Sequence, residues 1–417
     1  MNNRVAFLSL HGCPVARLGE KDTGGMNVYL KEIAKHLGQL GIETDIYTRT
    51  HDPDDDQIIE LGLNARVIHL KAGGYKYPKE DLHETVPEFI ESLLAFQKRE
   101  GLNYNVVHSH YWVSGFPGIE LSKLWAVPHV STFHTLAKSK LKARAEEKES
   151  ELRIDMELKI IQESHGIVVS TESEVTDIHE LYCKSERSSF KPNIRVIAPG
   201  VDLNMFKPAD RNVARNKLGL SADKIIIYAG RVEPLKGIDI AIEAVAQLEQ
   251  QESLKFLVIG GDLTSDSSLS DLKTLTSSLE LDDTVEFIGS VTQSNLVEYY
   301  RAADVLIFPS YYESFGLVAL EAMACGIPVI ASRVGGLKTL IKNGETGYLI
   351  PFRCAEPFTE KLEIILANPS LRDAMGNTAR LTAMGLGWEK AAEKLANFYN
   401  FLSGQSCLPS RHIANIF

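Results

Sequence analysis

The chain has 417 residues and a net charge of −11, with ordinary apolar and charged fractions. That length suits two or three domains, and the acidic balance argues against nucleic acid as a partner. The apolar runs are too short for an integral membrane segment, and five scattered cysteines without a C-x-x-C pair suggest neither a disulfide framework nor a zinc site.

In chain order, the start MNNRVAFLSLHGCPVARLGE reads as a first strand at 4–10 rather than a signal peptide, which implies a cytoplasmic enzyme with reduced thiols. Further strands are expected at TDIYTR (44–49), NVVHSH (105–110), HVSTFH (129–134), GIVVST (166–171) and IRVIAPG (194–200). A second series follows at IIIYAG (225–230), KFLVIGG (255–261), VEFIGS (285–290), DVLIFPS (304–310), IPVIAS (327–332) and GYLIP (347–351). Amphipathic helices such as VYLKEIAKHLGQLG and IAIEAVAQLEQQ intervene. Alternating βα units give α/β architecture with parallel sheets. Twelve strands divide into two Rossmann-like doubly wound domains of about six strands each. The expected division is 1–198, then 199–385, with a helix over 386–403 that crosses back to the first domain. Trp388, Ala392, Leu395, Phe398 and Leu402 would form its apolar stripe. Two such domains place a ligand cleft between the carboxyl ends of their sheets.

Within FPSYYESFGLVALEAMACGIPVIAS (308–332), a buried strand leads through a glycine turn into a helix. Such a helix start offers free N–H groups and a positive dipole end to an anion. Glu313 precedes that helix, and Glu321 is placed about two turns inside it on the same face. An E-x7-E pair alone means little, because glutamate is a common helix residue. The Ser314, Phe315, Gly316 turn gives it meaning. In DTGGMNVY (22–29), Gly24 and Gly25 precede another helix, a weak signal by itself. In GRVEPLKG (230–237), Arg231 and Lys236 stand at a strand end where they can neutralise a diphosphate. Read blandly, they are two solvated cations on a loop.

Polar residues also end two first-domain strands, in HSHYW (108–112) and FHTLAK (133–138). His108 and His110 share one face of their strand, but no carboxylate or cysteine is near in sequence, so no metal is expected there. HDPDDDQ (51–57) contains D-x-D spacing and reads as a solvated turn. No G-x-G-x-x-G follows a first strand in either half, which weakens an NAD(P)-dependent oxidoreductase as an alternative. A two-lobed sugar-binding protein without catalysis is a further alternative, and the set Arg231, Lys236, Glu313 and Glu321 argues against it.

Taken together, DTGGMNVY, KYPKEDL, HSHYW, FHTLAK, PGVDLNMF, GRVEPLKG and ESFGLVALEAMACGIPVIAS resemble the retaining GT-B glycosyltransferases of family 4, over residues 4–402. The pattern is most similar to the inositol-phosphate N-acetylglucosaminyltransferases of mycothiol synthesis, and sucrose-phosphate synthases share much of it. The resemblance implies a UDP-sugar donor, a phosphorylated small-molecule acceptor and no cofactor. It alone raises a homodimer.

It also implies residue roles. Arg231 and Lys236 would hold the diphosphate, beside Gly230, with Gly25 and the backbone at Leu317 and Val318 assisting. Glu321 would hold the ribose, and Val291 would lie near the uracil. Glu313 and the backbone of Ser314, Phe315 and Gly316 would hold the donor sugar, approached by His134. Lys79, Tyr111, Thr135 and Arg153 would hold the acceptor phosphate, and Asn27 would touch the acceptor ring. One departure is Gly74 in AGGYKYPKEDL, where the inositol-phosphate members usually carry proline. The implied reaction moves glucose or N-acetylglucosamine from UDP to a phosphorylated polyol or sugar such as inositol phosphate. The alternative acceptor is fructose 6-phosphate.

Overall fold

The structure is a computed structural model that describes residues 3–16, 24–144, 146–184, 192–263 and 267–404. Asp22 and Thr23 of the DTGGMNVY run, and the tail beyond Gly404, lie outside the described residues.

The first sheet comprises β1 (Asn3–Ser9), β2 (Ile42–Arg49), β3 (Ile58–Gly62), β4 (Ala65–Leu70), β5 (Val106–His110), β6 (His129–Thr132), β7 (Gly166–Val169) and β8 (Ile194–Val196). Their order is β3-β4-β2-β1-β5-β6-β7-β8. All neighbours pair in parallel except β3, which runs antiparallel to β4. The second sheet comprises β9 (Lys224–Ala229), β10 (Leu254–Ile259), β11 (Val285–Gly289), β12 (Val305–Phe308), β13 (Val329–Ser332) and β14 (Gly347–Ile350). It is wholly parallel, in the order β11-β10-β9-β12-β13-β14. Runs such as IIIYA in β9 and VLIF in β12 are buried throughout, as helices on both faces require.

The expectation of about six strands in the first sheet is corrected to eight. β3 alternates between exposed and half-buried residues at the sheet edge, so it lacks the continuous apolar run of an inner strand. It turns tightly into β4 through Leu63 and Asn64, the latter at φ 56°. Several expected strands also end early. β6 stops at Thr132, β7 at Val169 and β8 at Val196, and the residues beyond leave the sheets for the cleft.

In each sheet the strand order reverses at one place. In the first, β1 lies between β2 and β5; in the second, β9 lies between β10 and β12. At such a switch point the adjoining loops diverge to opposite faces and leave a crevice at the carboxyl ends. The terminal helix, Trp388–Leu402, packs on the first helix, Gly25–Gln39, and buries Trp388, Ala392, Leu395 and Phe398 against Val5, Phe7 and Ile33 of the first sheet's layer. Leu402 is only half-buried. Val201 donates to Leu386 O at 2.9 Å and pairs with Gly387, so the two passages of the chain between the sheets lie side by side.

Candidate active site at the two switch points

Most of the expected donor residues gather at the ends of β9 and β12. After β9 the chain makes a short turn of 3-10 helix, Pro234–Lys236, and leaves it through Gly237 at φ 64°. A Cβ on Gly237 would sit 2.3 Å from Pro309 O, so only glycine lets the Lys236 turn lie against the end of β12. Tyr311 N donates to Leu235 O at 2.8 Å and fixes the same approach. Lys236 Nζ consequently makes a close ion pair with Glu313 Oε1, which also accepts from Ser310 Oγ at 3.2 Å. Arg231 pairs with Glu233 at 2.7 Å and stays 37% exposed at the cleft.

After β12 the chain runs through Ser314 and Phe315 to Gly316, at φ 100°, and starts the helix Leu317–Ala324. The two-turn placement of Glu321 is corrected to about one turn, because the helix begins only at Leu317, four residues before it. Glu321 is 7% exposed and accepts from Tyr300 Oη at 3.1 Å and Gln293 Nε2 at 3.3 Å. Burial pushes its carboxyl up to about 7. It borders a cavity whose other walls include Leu317 and Gln293 on one side and Val28, Lys31 and Trp388 on the other. Val291 follows the end of β11 and is partly buried.

The first domain meets this element directly. Its first helix starts at Gly25, where a Cβ would lie 3.3 Å from Leu317 Cδ1, and a Cβ on Gly24 would lie 3.7 Å from Arg231 Nε. Two helix starts thus face each other across the cleft, next to a guanidinium. Asn27 is buried within its own helix cap: Oδ1 accepts from Gly24 N at 3.0 Å and Nδ2 donates to Cys13 O at 2.7 Å.

His134 leaves the end of β6 at φ 60°, a conformation costly for a non-glycine residue. Its carbonyl accepts from Ser314 Oγ, a bond across the cleft. His134 Nε2 lies 3.1 Å from His110 Nδ1. Burial drops the His134 imidazole to about 3 and takes His108 and His110 well below the ordinary value, so all three are neutral. His108 joins Tyr399 Oη at 2.5 Å and Thr132 Oγ1 at 2.8 Å, which ties the terminal helix into β5.

The expected acceptor residues divide. Arg153, 4% exposed, donates to Thr135 O at 2.9 Å and Thr135 Oγ1 at 3.1 Å, with its guanidinium 5.0 Å from the Tyr111 ring centroid. Lys79 begins a 3-10 helix, Lys79–Thr85, and is exposed. His83 of that helix stands 6.5 Å from the Trp112 ring, which places the element beside Tyr111.

Sequence reasoning missed what holds Arg153. Glu149 and Glu157 flank it at 2.8 Å each. Glu157 also accepts from Ala137 N and the Tyr182 hydroxyl. The signal was present, since Glu149, Arg153 and Glu157 follow helical four-residue spacing. The partners of Glu321, Gln293 and Tyr300, come from a separate helix and have no such local signature.

Two doubly wound sheets, with cationic and helix-start groups at one switch point facing a polar cluster at the other, define a GT-B glycosyltransferase. Residues 23–205 match the model described as Glycosyltransferase Family 4, and residues 210–382 match that for Glycosyl transferases group 1. A D-inositol 3-phosphate glycosyltransferase of Arthrobacter sp. (strain FB24) is 39% identical over 93% of each chain. Its counterpart in Corynebacterium efficiens is 35% identical over 97% of this chain and 96% of its own. A sucrose-phosphate synthase structure from Thermosynechococcus elongatus superposes with a TM-score of 0.89, at 34% identity, over 97% of this chain and 100% of that one. The chain belongs to the family 4 glycosyltransferases.

Proposed function

We propose that the enzyme transfers a glucose-type sugar, N-acetylglucosamine or glucose, from a UDP-sugar to a phosphorylated polyol such as inositol phosphate, with retention at the anomeric carbon. The observation that carries this reading is the pairing of two half-sites through Ser314 and His134. One half offers Arg231, Lys236 and a helix start, groups suited to a diphosphate. The other offers Arg153, Thr135 and Tyr111, groups suited to a phosphate monoester. Relatives named for inositol 3-phosphate, matched along almost the whole chain, support the acceptor class.

In this reading the bond from the anomeric carbon to the β-phosphate oxygen breaks, and the acceptor oxygen bonds to the same face of that carbon. The acceptor proton passes to the departing phosphate oxygen. Arg231, Lys236 and the N–H groups at Leu317 and Val318 stabilise the charge that develops there. Glu313 is held by Lys236 and Ser310, which suits a partner for donor-sugar hydroxyls rather than a nucleophile. Neutral His134 presents an imidazole to the same sugar, and Glu321 receives the ribose hydroxyls. Domains 1–198 and 199–385 would serve acceptor and donor respectively.

Fructose 6-phosphate is the second acceptor to weigh, favoured by the full-length superposition on a sucrose-phosphate synthase. A panel of UDP-glucose and UDP-N-acetylglucosamine against inositol phosphate, fructose 6-phosphate and their unphosphorylated forms tests both. UDP release that requires a phosphorylated acceptor is expected. Equal rates with unphosphorylated acceptors would overturn the assignment of Arg153 and Thr135.

A further inference from the structure

Outside the cleft residues, the carboxyl ends of β1, β2 and β4 bring Cys13, His51 and His69 together. Their ligand atoms all lie within 4.8 Å of one another. Cys13 Sγ is 3.3 Å from His69 Nε2. His69 Nδ1 lies 2.7 Å from Asp56 O, and a carbonyl can only accept, so Nδ1 carries the proton and Nε2 a lone pair toward the thiol. His51 Nδ1 lies 2.7 Å from Asp55 Oδ2, and His51 Nε2 is buried without a hydrogen-bond partner. Asp55 is itself held, because the same Oδ2 accepts from His51 N at 2.9 Å and Asp52 N at 3.0 Å.

Both imidazoles are therefore anchored through Nδ1 to an oxygen, one to a carboxylate and one to a carbonyl, which leaves each Nε2 to serve as the ligand atom. This is the outer arrangement that orients metal-binding histidines. A tetrahedral zinc with bonds of about 2.0–2.3 Å needs ligand atoms roughly 3.3–3.6 Å apart. The Cys13–His69 separation of 3.3 Å already suits that edge, and the spread to 4.8 Å needs only small side-chain closure.

We propose that Cys13, His51 and His69 form a site for a zinc-class divalent cation, with Asp55 and Asp56 O orienting the histidines. One thiol and two imidazole nitrogens select a borderline-soft ion over magnesium or calcium. Binding releases the Cys13 thiol proton to solvent and forms one metal–sulfur and two metal–nitrogen bonds, with water in the fourth position. The ion's two positive charges are then matched by the thiolate and Asp55. A thiol, ordinarily at about 8.5, is protonated at neutral pH and must lose its proton to bind the ion, so loading releases about one proton per site.

The proposal departs from two expectations from the sequence, that no metal is bound and that 51–57 is only a solvated turn. Cys13 is 38 residues from His51 and 56 from His69 in the chain, so no local spacing announces the set. The site lies beside the cleft: Asn27 donates to Cys13 O and accepts from Gly24 N. A bound ion would therefore fix the β1 loop against the start of the first helix.

The test uses untagged, full-length protein stripped with chelator and titrated with Co²⁺, then Zn²⁺. Expected are one equivalent bound, a thiolate-to-cobalt charge-transfer band, its loss on adding Zn²⁺, and release of about one proton. Cys13→Ala abolishes the band, and Asp55→Asn weakens binding about 10–100-fold. Absence of saturable one-equivalent binding to the wild type, or binding without the charge-transfer band, would overturn the proposal. These readouts use no sugar transfer, so they stand apart from the donor and acceptor assignments.

Discussion

At the scale of single residues, the proposed donor half-site depends on how Glu313 and Glu321 are held. Glu313 carries both Lys236 and Ser310 on one oxygen, so a neutral amide there keeps the shape but loses the charge. Glu313→Gln should leave UDP binding within a few fold and lower the transfer rate on the order of 10²-fold. Isothermal titration with UDP and steady-state rates separate the two effects. Glu321 is different, because burial raises its carboxyl to about 7. In the proposed ribose role, only the ionised form accepts from both hydroxyls. Affinity for an intact UDP-sugar, whose diphosphate does not titrate in this range, should rise as pH passes upward through about 7. Glu321→Gln should flatten that profile, and an unchanged profile would remove Glu321 from the ribose site.

The two glutamates also show what was legible. Their placement could be read from the ESFGLVALE pattern, since a strand, a glycine turn and a helix are local features, while their roles are what the family resemblance implies. Glu321's depth was misjudged because sequence cannot say how many residues the turn consumes before the helix starts. The pairings Lys236–Glu313 and Ser314–His134 span 77 and 180 residues. They depend on how two sheets face each other, which no local pattern encodes.

Among elements, the glycine turns decide whether the loops reach the strand ends. Gly237→Ala places a Cβ against Pro309 O at a φ of 64°. A cost of about 1–3 kcal/mol is expected from the strained backbone. The Lys236 turn must also withdraw from β12. The melting temperature should fall and the KM for the donor should rise, while the acceptor KM changes little. A variant with normal donor KM would show that this close approach is not needed. The edge hairpin β3–β4 shows the limit of pattern reading at this scale. An edge strand is half exposed, so its alternation resembles a polar connection, and only pairing with β4 reveals it.

For the whole molecule, buried neutral histidines make stability depend on pH. His108, His110, His129 and His134 all lie below the ordinary imidazole value of 6.5 because they are buried. A depressed imidazole adds stability that is present above 6.5 and lost as pH falls toward the folded value, about 3 for His129 and His134. Glu157, Glu174, Glu243 and Glu321 oppose this, since their raised carboxyls weaken the fold as pH climbs, over 4.5 to about 7 for Glu174 and Glu321. Below 6.5 the four imidazoles set the direction, because only Glu174 and Glu321 among the raised carboxyls are pushed as far as about 7. The urea midpoint should therefore be lower at about pH 5 than at about pH 7. A higher midpoint in acid would contradict the neutral assignment of these histidines.

At this scale the proposed reaction joins the two sides of the cleft, and its chemistry can be read from one product. The measurement is proton and phosphorus magnetic resonance of the wild-type enzyme with a UDP-α-sugar and inositol phosphate. The account predicts UDP, an α-linked product that keeps the acceptor phosphate, and no product when inositol replaces inositol phosphate. A β-linked product, or equal transfer to the unphosphorylated polyol, would contradict it.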